Sequence, residues 1–320
     1  MAPQPAIAKQ TQNFVGLIHV GPKQTHLADA MEALDSLFHY EPGIKGMVAI
    51  NDAPDPHRLQ GLEQRYGGKL TSVHCPWHSQ WSDGIWGRGC SRNLLGMKRA
   101  YEHYQPFSYL LKLDTDALVI DSFSESISQF FEQHPEVGLI GTYQVTPQGE
   151  VRRAPKWSTR IAAYANGIGF KDLKKNHLSL LYFLTHRPVF RRMSDVIRTA
   201  IANGYEPSEH CQGGSYAVSF PLIQQLYQRG ELDHPEQWLY MNMGEDFLLA
   251  IHTRYLGYQM ADFNRAGEPF GIDYLGLPFP PAELVARGYA IVHSTNNDPL
   301  VSQETINAFF RDRRQQSVVG

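Results

Sequence analysis

The chain is built from short, continuous apolar runs, each closed by a glycine or an acid, alternating with segments of helical spacing. "NFVGLIHVG" (13–21), "GMVAIND" (46–52), "KLTSVHC" (69–75), "YLLKLDTDALVI" (109–120) and "VGLIGTYQV" (137–145) have strand length. Between them, "HLADAMEALDSLFHY" spaces Leu27, Met31, Leu34 and Phe38 as one helix face, and "HRLQGLEQRYG", "CSRNLLGMKRAYEHY" and "FSESISQFFEQH" read as further helices. A strand that is apolar throughout is buried on both faces, and parallel neighbours need a crossover helix between them. The pattern therefore predicts an α/β domain with a mixed, mostly parallel sheet flanked by helices. In such sheets ligands gather beyond the carboxyl ends of strands. Asp52 and the pair Asp114/Asp116 fall at strand ends and are expected along one edge.

Composition narrows the function classes. The 320 residues suit one large domain or two intimate ones, and a formal charge of −3 supplies no basic field for nucleic acid. Cys75, Cys90 and Cys211 are too few and scattered for a disulfide framework, which fits a reducing compartment. "MAPQPAIAKQTQN" lacks an apolar signal core, and no segment has the length and hydropathy of a transmembrane helix. A soluble cytoplasmic protein is expected; oligomeric state is not legible.

The organisation reads as a flexible N-terminus (1–12), a first α/β half (13–145), a helical insertion (146–211), a second half (212–300), and a C-terminal helix and tail (301–320). In the insertion, "NHLSLLYFLTHRPVFRRMSDVIRTAIANG" is helical in pattern, interrupted by Pro188, with Arg187, Arg191, Arg192 and Arg198 close together. Solvated arginines on a packed hairpin explain them; contact with an acidic acceptor is the sharper alternative.

The Asp114-Thr115-Asp116 string is the first chemical signal. Carboxylates at i and i+2 point to opposite faces of a regular strand and converge only where the backbone turns. At such a turn one can meet a hard divalent cation, Mn²⁺ or Mg²⁺, that keeps phosphate oxygens in its shell. A turn cap with an exposed neighbour explains the same letters.

An apolar strand ending in Asp-X-Asp, with "GRGCSRNLLGMKRA" before it, resembles the nucleotide-sugar half of a GT-A glycosyltransferase. "INDAPDP" resembles the acidic strand end with which large inverting, family-two-type GT-A families hold a nucleoside. The later half is similar to the Fringe and β-1,3-glycosyltransferase group in "GGSYAVSFPLIQQL", in "GEDFLLAIHTRYLGY" and in "AIVHS". The motifs run in family order from residue 13 to about 297. Two departures stand out: Leu113 occupies the place of a third acid, and residues 146–211 have no counterpart motif.

The resemblance implies a metal-dependent, inverting transfer of a sugar from a nucleoside-diphosphate donor, a UDP-sugar, to a carbohydrate or other hydroxyl acceptor. It implies Asp116 and His293 as metal ligands, with Asp114 as a further ligand or a ribose contact. Asp246 is the implied general base, at a helix start whose amide dipoles favour its ionised form, with Glu245 its rival or orienting partner. Asp52 is expected to face the nucleoside, Arg92 and Asn93 the diphosphate, and Gly213 and Gly214 to let backbone approach the sugar. With few protein ligands, cation binding should weaken greatly without nucleotide.

Other strings carry less. "HCPWH" groups His74, Cys75 and His78 but lacks a second Cys/His cluster for zinc. "WSDGIWGRG" suits either a closing loop or ordinary aromatic packing, and "GRGCSRN" lacks the Lys-Ser/Thr of a phosphate-cradling loop. A sugar nucleotidyltransferase and a non-catalytic binding module on a transferase fold remain the rival classes.

Overall fold

A computed structural model describes residues 13–77, 87–152, 154–167, 184–185, 187–239, 241 and 243–319. His78, Trp81, Trp86, residues 153, 168–183 and 186 of the 146–211 segment, and the first twelve residues lie outside this set. The first half alternates as the apolar runs imply: β1 (Phe14–Val20), α1 (Gln24–Tyr40), β2 (Gly46–Asn51), α2 (Gln60–Tyr66), β3 (Leu70–His74), α3 (Gly87–Tyr104) and β4 (Tyr109–Leu113). There follow β5 (Leu118–Val119), α4 (Ser124–Gln133), β6 (Val137–Gly141), α5 (Pro155–Ala165) and α6 (Arg187–Ala202). The remainder comprises β7 (Ser215–Ser219), α7 (Phe220–Gln228), α8 (Glu245–Tyr255), β8 (Gln259–Asp262), β9 (Phe270–Ile272), α9 (Pro281–Ala286), β10 (Ile291–His293) and α10 (Gln303–Val319).

Among the described residues the main sheet has seven strands in the order β3-β2-β1-β4-β7-β6-β8. β3, β2, β1 and β4 are mutually parallel. β7 runs antiparallel to both β4 and β6, while β6 and β8 are parallel. The fold is thus the expected mixed, mostly parallel sheet flanked by helices. Alternation sorts the strand residues onto two cores. Val15, Leu17, Val48, Ile50 and Leu110 face the layer containing α3, α6 and α8. Phe14, Ile18, Met47, Ala49, Leu111 and Leu113 face the layer containing α1 and α4.

One expectation changes. The run at 109–120 reads as a single strand, but β4 ends at Leu113 and the chain turns through Asp114–Ala117. Leu118 and Val119 then join a second sheet, β5-β10-β9. The turn closes with the Ala117 amide donating to the Asp114 carbonyl at 3.1 Å. Beyond it, the buried Glu41 carboxylate accepts from the Phe123 amide (2.6 Å), the Ser124 amide (2.8 Å) and the Ser124 hydroxyl (2.7 Å). Glu41 thereby caps α4 from a distance, because the start of a helix leaves its first amides without partners. Pro188 lies in the first turn of α6, where its missing N–H costs nothing.

Glu41→Ala strands buried donors and should destabilise the protein by about 3 kcal/mol, whereas Glu41→Gln, which keeps an accepting oxygen, should lose less. Urea unfolding of the two variants checks the order.

Candidate active site

The site grows from the β4–β7 pair. Because β7 runs opposite to its neighbours, its amino end lies beside the carboxyl end of β4, with Leu113 opposite Ser215. The Asp114 amide donates to the Gly214 carbonyl at 3.0 Å, which extends that pairing one step beyond both strands. Asp114-Thr115-Asp116 and Gly213-Gly214 are therefore locked side by side. The second sheet delivers the third component. His293 closes β10, and just after it the Thr295 amide donates to the Asp116 carbonyl at 3.0 Å.

Asp114, Asp116 and His293 converge, each offering one ligand atom, with these atoms all within 4.8 Å of one another. His293 Nε2 is 3.4 Å from Asp116 Oδ1 and 3.9 Å from Asp114 Oδ2. Its Nδ1 sits 2.9 Å from the Asp273 carbonyl, which can only accept, so a proton lies on Nδ1. Burial opposes a second proton, but Asp116 and Asp114 hold the imidazole above the ordinary histidine value, so without a cation Nε2 also donates toward Asp116, and a cation bound there would take that proton's place. Asp116 Oδ2 accepts from the Ser294 hydroxyl at 2.6 Å. Burial opposes ionisation of Asp116, but the His293 and Ser294 hydrogen bonds hold its carboxyl down at about 2. Two carboxylate oxygens and an imidazole nitrogen, each oriented by a second partner, fit a hard or borderline divalent cation such as Mn²⁺.

Gly214 has a different role from the one expected. A Cβ at this position would lie 2.4 Å from His293 Cγ and Nδ1, so the missing side chain makes room for the imidazole. At Gly213 a Cβ would meet Glu245 Oε1 at 3.3 Å and Asp246 Oδ2 at 3.6 Å, so its open face looks toward the two acids of α8.

Asp246 opens α8 beside Glu245. Its Oδ1 accepts from the Phe247 amide at 2.9 Å, and its Oδ2 is 3.6 Å from His210 Nε2. The helix start was expected to favour ionisation, but burial and then the adjacent Glu245 charge outweigh the amides and push the carboxyl up to about 7. His210 offers no compensating charge. Its Nδ1 lies 2.8 Å from the Ser208 carbonyl, Arg152 donates to its Nε2 at 2.9 Å, and burial with Arg152 drives it down to about 3.

Asp52 and Arg92 were assigned separate contacts, yet they form an ion pair with each other. Asn93 is also engaged, its amide donating to the Tyr216 hydroxyl at 2.8 Å. Asp52 and Asp114 nevertheless lie on one edge, following β2 and β4 with β1 between them. His19, on β1, lies between the two groups. Burial, then the Arg92 and Lys112 charges, hold it well below the ordinary histidine value.

Two cations escaped sequence reasoning. Lys112 stands inside "YLLKL" and is fully buried on the α8 side of the sheet. Its Nζ donates to Asp114 Oδ1 at 2.5 Å and to the Gly213 carbonyl, and lies 3.6 Å from Glu245 Oε1. Burial works against its charge, but Asp114 and Glu245 hold it above the ordinary lysine value. A charged residue in an otherwise apolar strand was the available signal. Arg152 donates to the carbonyls of Thr142 and Tyr143 (each 2.6 Å) and His210 (2.8 Å), and to Gln212 Oε1 (2.7 Å). It ties the Cys211–Gly214 approach to the end of β6, and no local pattern announced it. Of the insertion arginines, Arg192 pairs with the buried Glu231 and Arg198 with Asp195.

No family model and no curated protein sequence matches the chain. Solved structures similar to it include core-mannan synthase A (CmsA/Ktr4) from Aspergillus fumigatus in its Mn/GDP form, 14% identical, with TM-score 0.39 over 82% of this chain and 75% of that one. Another is mannosyltransferase PcManGT from Pyrobaculum calidifontis in complex with GDP-Man and Mn²⁺, 12% identical, with TM-score 0.39 over 79% of this chain and 55% of that one. These are distant likenesses.

Gly214→Ala should displace the imidazole and weaken Mn²⁺ binding as strongly as His293→Ala, while leaving the fold intact. Titration calorimetry on both variants, with circular dichroism as the control, tests this. Unchanged Mn²⁺ affinity in Gly214→Ala refutes the packing argument.

Proposed function

We propose that the protein is a metal-dependent glycosyltransferase of the GT-A type that moves a sugar from a nucleoside-diphosphate donor to a hydroxyl acceptor with inversion. The observation that carries the reading is the convergence of Asp114, Asp116 and His293 near a separate, largely buried carboxylate on α8. A lone metal cluster would suit many proteins. A metal cluster with an acid of raised proton affinity next to it suits group transfer, where a leaving group and an incoming hydroxyl need opposite help.

Asp246 takes the acceptor proton as the hydroxyl oxygen bonds to the anomeric carbon, and the bond to the diphosphate oxygen breaks with its electron pair leaving on the nucleoside diphosphate. A carboxyl near neutrality is well matched to this, because proton transfer is most effective when the base's proton affinity lies near the working pH. The neutral His210, held by Ser208 and Arg152, borders the carboxylate without quenching it. Glu245, facing Lys112, orients the start of α8. Asp116, His293 and Asp114 would hold a divalent cation, which supplies Lewis-acid stabilisation of the departing diphosphate. The Asp52–Arg92 pair and Asn93 line the donor side of the same edge. Uracil is the base implied by the sequence resemblance, and guanine is the base named for both similar structures.

A thermal-shift panel of UDP, GDP, CDP and TDP, each with and without Mn²⁺, should show one nucleotide stabilising the protein only when Mn²⁺ is present. No Mn²⁺-dependent shift with any of them removes the donor assignment. With the donor so identified, kcat/KM should rise as pH passes about 7, because Asp246 must lose its proton before it can accept one. Asp246→Asn should cut kcat by about 10²–10⁴-fold and abolish that limb with little change in donor KM. A product with the donor's own anomeric configuration, read by NMR, overturns both inversion and the role of Asp246.

A further inference from the structure

We infer that Lys112 is a built-in counter-charge that limits how Asp114 can bind a cation and makes tight metal binding depend on the diphosphate. This inference rests on the metal-dependent reading of the site. The sequence pattern calls for an apolar residue here, since position 112 faces the same layer as Leu110, yet the chain buries an ammonium. Burial of a lysine is tolerated only with close partners. Its partners are parts of the site itself: Asp114 Oδ1 at 2.5 Å, the Gly213 carbonyl, and Glu245 Oε1 at 3.6 Å. Two of the ammonium's hydrogens go to Asp114 and Gly213, Glu245 pairs with it at 3.6 Å, and the side chain is fully buried, so it serves the site by positioning groups and not by touching substrate.

The consequence for the metal ligands follows atom by atom. Each of the three has one atom committed elsewhere: Asp114 Oδ1 to Lys112, Asp116 Oδ2 to Ser294, and His293 Nδ1 to the Asp273 carbonyl. The atoms left facing one another are Asp114 Oδ2, Asp116 Oδ1 and His293 Nε2. Lys112 thus leaves Asp114 a single free oxygen and cancels one of the two ligand charges. A divalent cation on a ligand set of net charge near −1 remains electropositive. The complement that completes it is an anion with several oxygens, such as a diphosphate. Larger cations, which prefer bidentate carboxylates and more ligands, are disfavoured by the same restriction.

The test measures Mn²⁺ and Ca²⁺ affinity of the full chain by calorimetry, with and without UDP or GDP, for wild type, Lys112→Gln and Lys112→Met. Wild type should bind Mn²⁺ weakly alone and at least about 100-fold more tightly with the preferred nucleotide, an effect within reach of charges a few ångströms apart. Lys112→Gln retains donors for Asp114 and Gly213 but loses the charge. It should tighten nucleotide-free Mn²⁺ binding by about tenfold or more and shrink the nucleotide dependence. Lys112→Met also frees Asp114 Oδ1, and should raise Ca²⁺ affinity more than Mn²⁺ affinity. A merely structural lysine predicts the opposite sign, weaker binding in both variants, and that result overturns the inference. Nucleotide-independent tight binding by wild type overturns it without any variant having to fold. Wild type that binds no Mn²⁺ in any condition removes the metal reading itself, and this inference with it.

Discussion

The antiparallel insertion of β7 between β4 and β6 is the constraint on which the site depends. A wholly parallel sheet would bring one carboxyl end after another to the functional edge. Reversing a single strand brings an amino end there, and with it the close backbone of Gly213-Gly214 beside Asp114. The main-chain bond from Asp114 to Gly214 carries the pairing beyond the strands and fixes where the Asp114–Ala117 turn begins. Everything acidic in the centre is registered against that bond.

The second sheet makes the turn useful. β5 draws the chain away just after Asp116, and β10 pairs with it so that His293 returns to the same place. Backbone contacts from Thr295 to Asp116 hold this return, and the small Gly214 lets the imidazole fit. Two sheets therefore meet at one group of side chains. Precision comes from backbone pairing on both sides and not from the side chains alone, which suits a site whose ligand atoms must hold their spacing.

Charge balance across the centre is the second theme. Asp114, Asp116, Glu245 and Asp246 lie near one another at the end of β4, and carboxylates this close oppose one another's ionisation. Lys112 pairs with Asp114 and Glu245, while His293 and Ser294 hold Asp116 low against its burial. Burial raises both Asp114 and Asp246, but Asp246 also has the adjacent Glu245 charge against it, only partly offset by the Phe247 amide and the Arg152 and Lys112 charges, and it is pushed up to about 7. The same crowd of acids thus holds one carboxyl low, at Asp116, and one near neutrality, at Asp246.

Periodicity and composition by themselves determined the layered α/β architecture, because burial on both faces demands continuous apolar runs and crossover helices demand their spacing. Asp116 and His293 stand out in the sequence because each follows an apolar run, whereas Asp246 is singled out only by the family resemblance of "GEDFLLAIHTRYLGY". Lys112 interrupts a pattern too, but its meaning depends on Glu245 and Gly213, which lie more than a hundred residues away in the chain. Arg152 and His210 belong to segments without a marked period, and only the register of β6 against β7 joins them. The end of β4 at Leu113, the space Gly214 leaves for His293 and the raised proton affinity of Asp246 were decided by tertiary structure, since distances between residues remote in sequence set desolvation, repulsion and steric room.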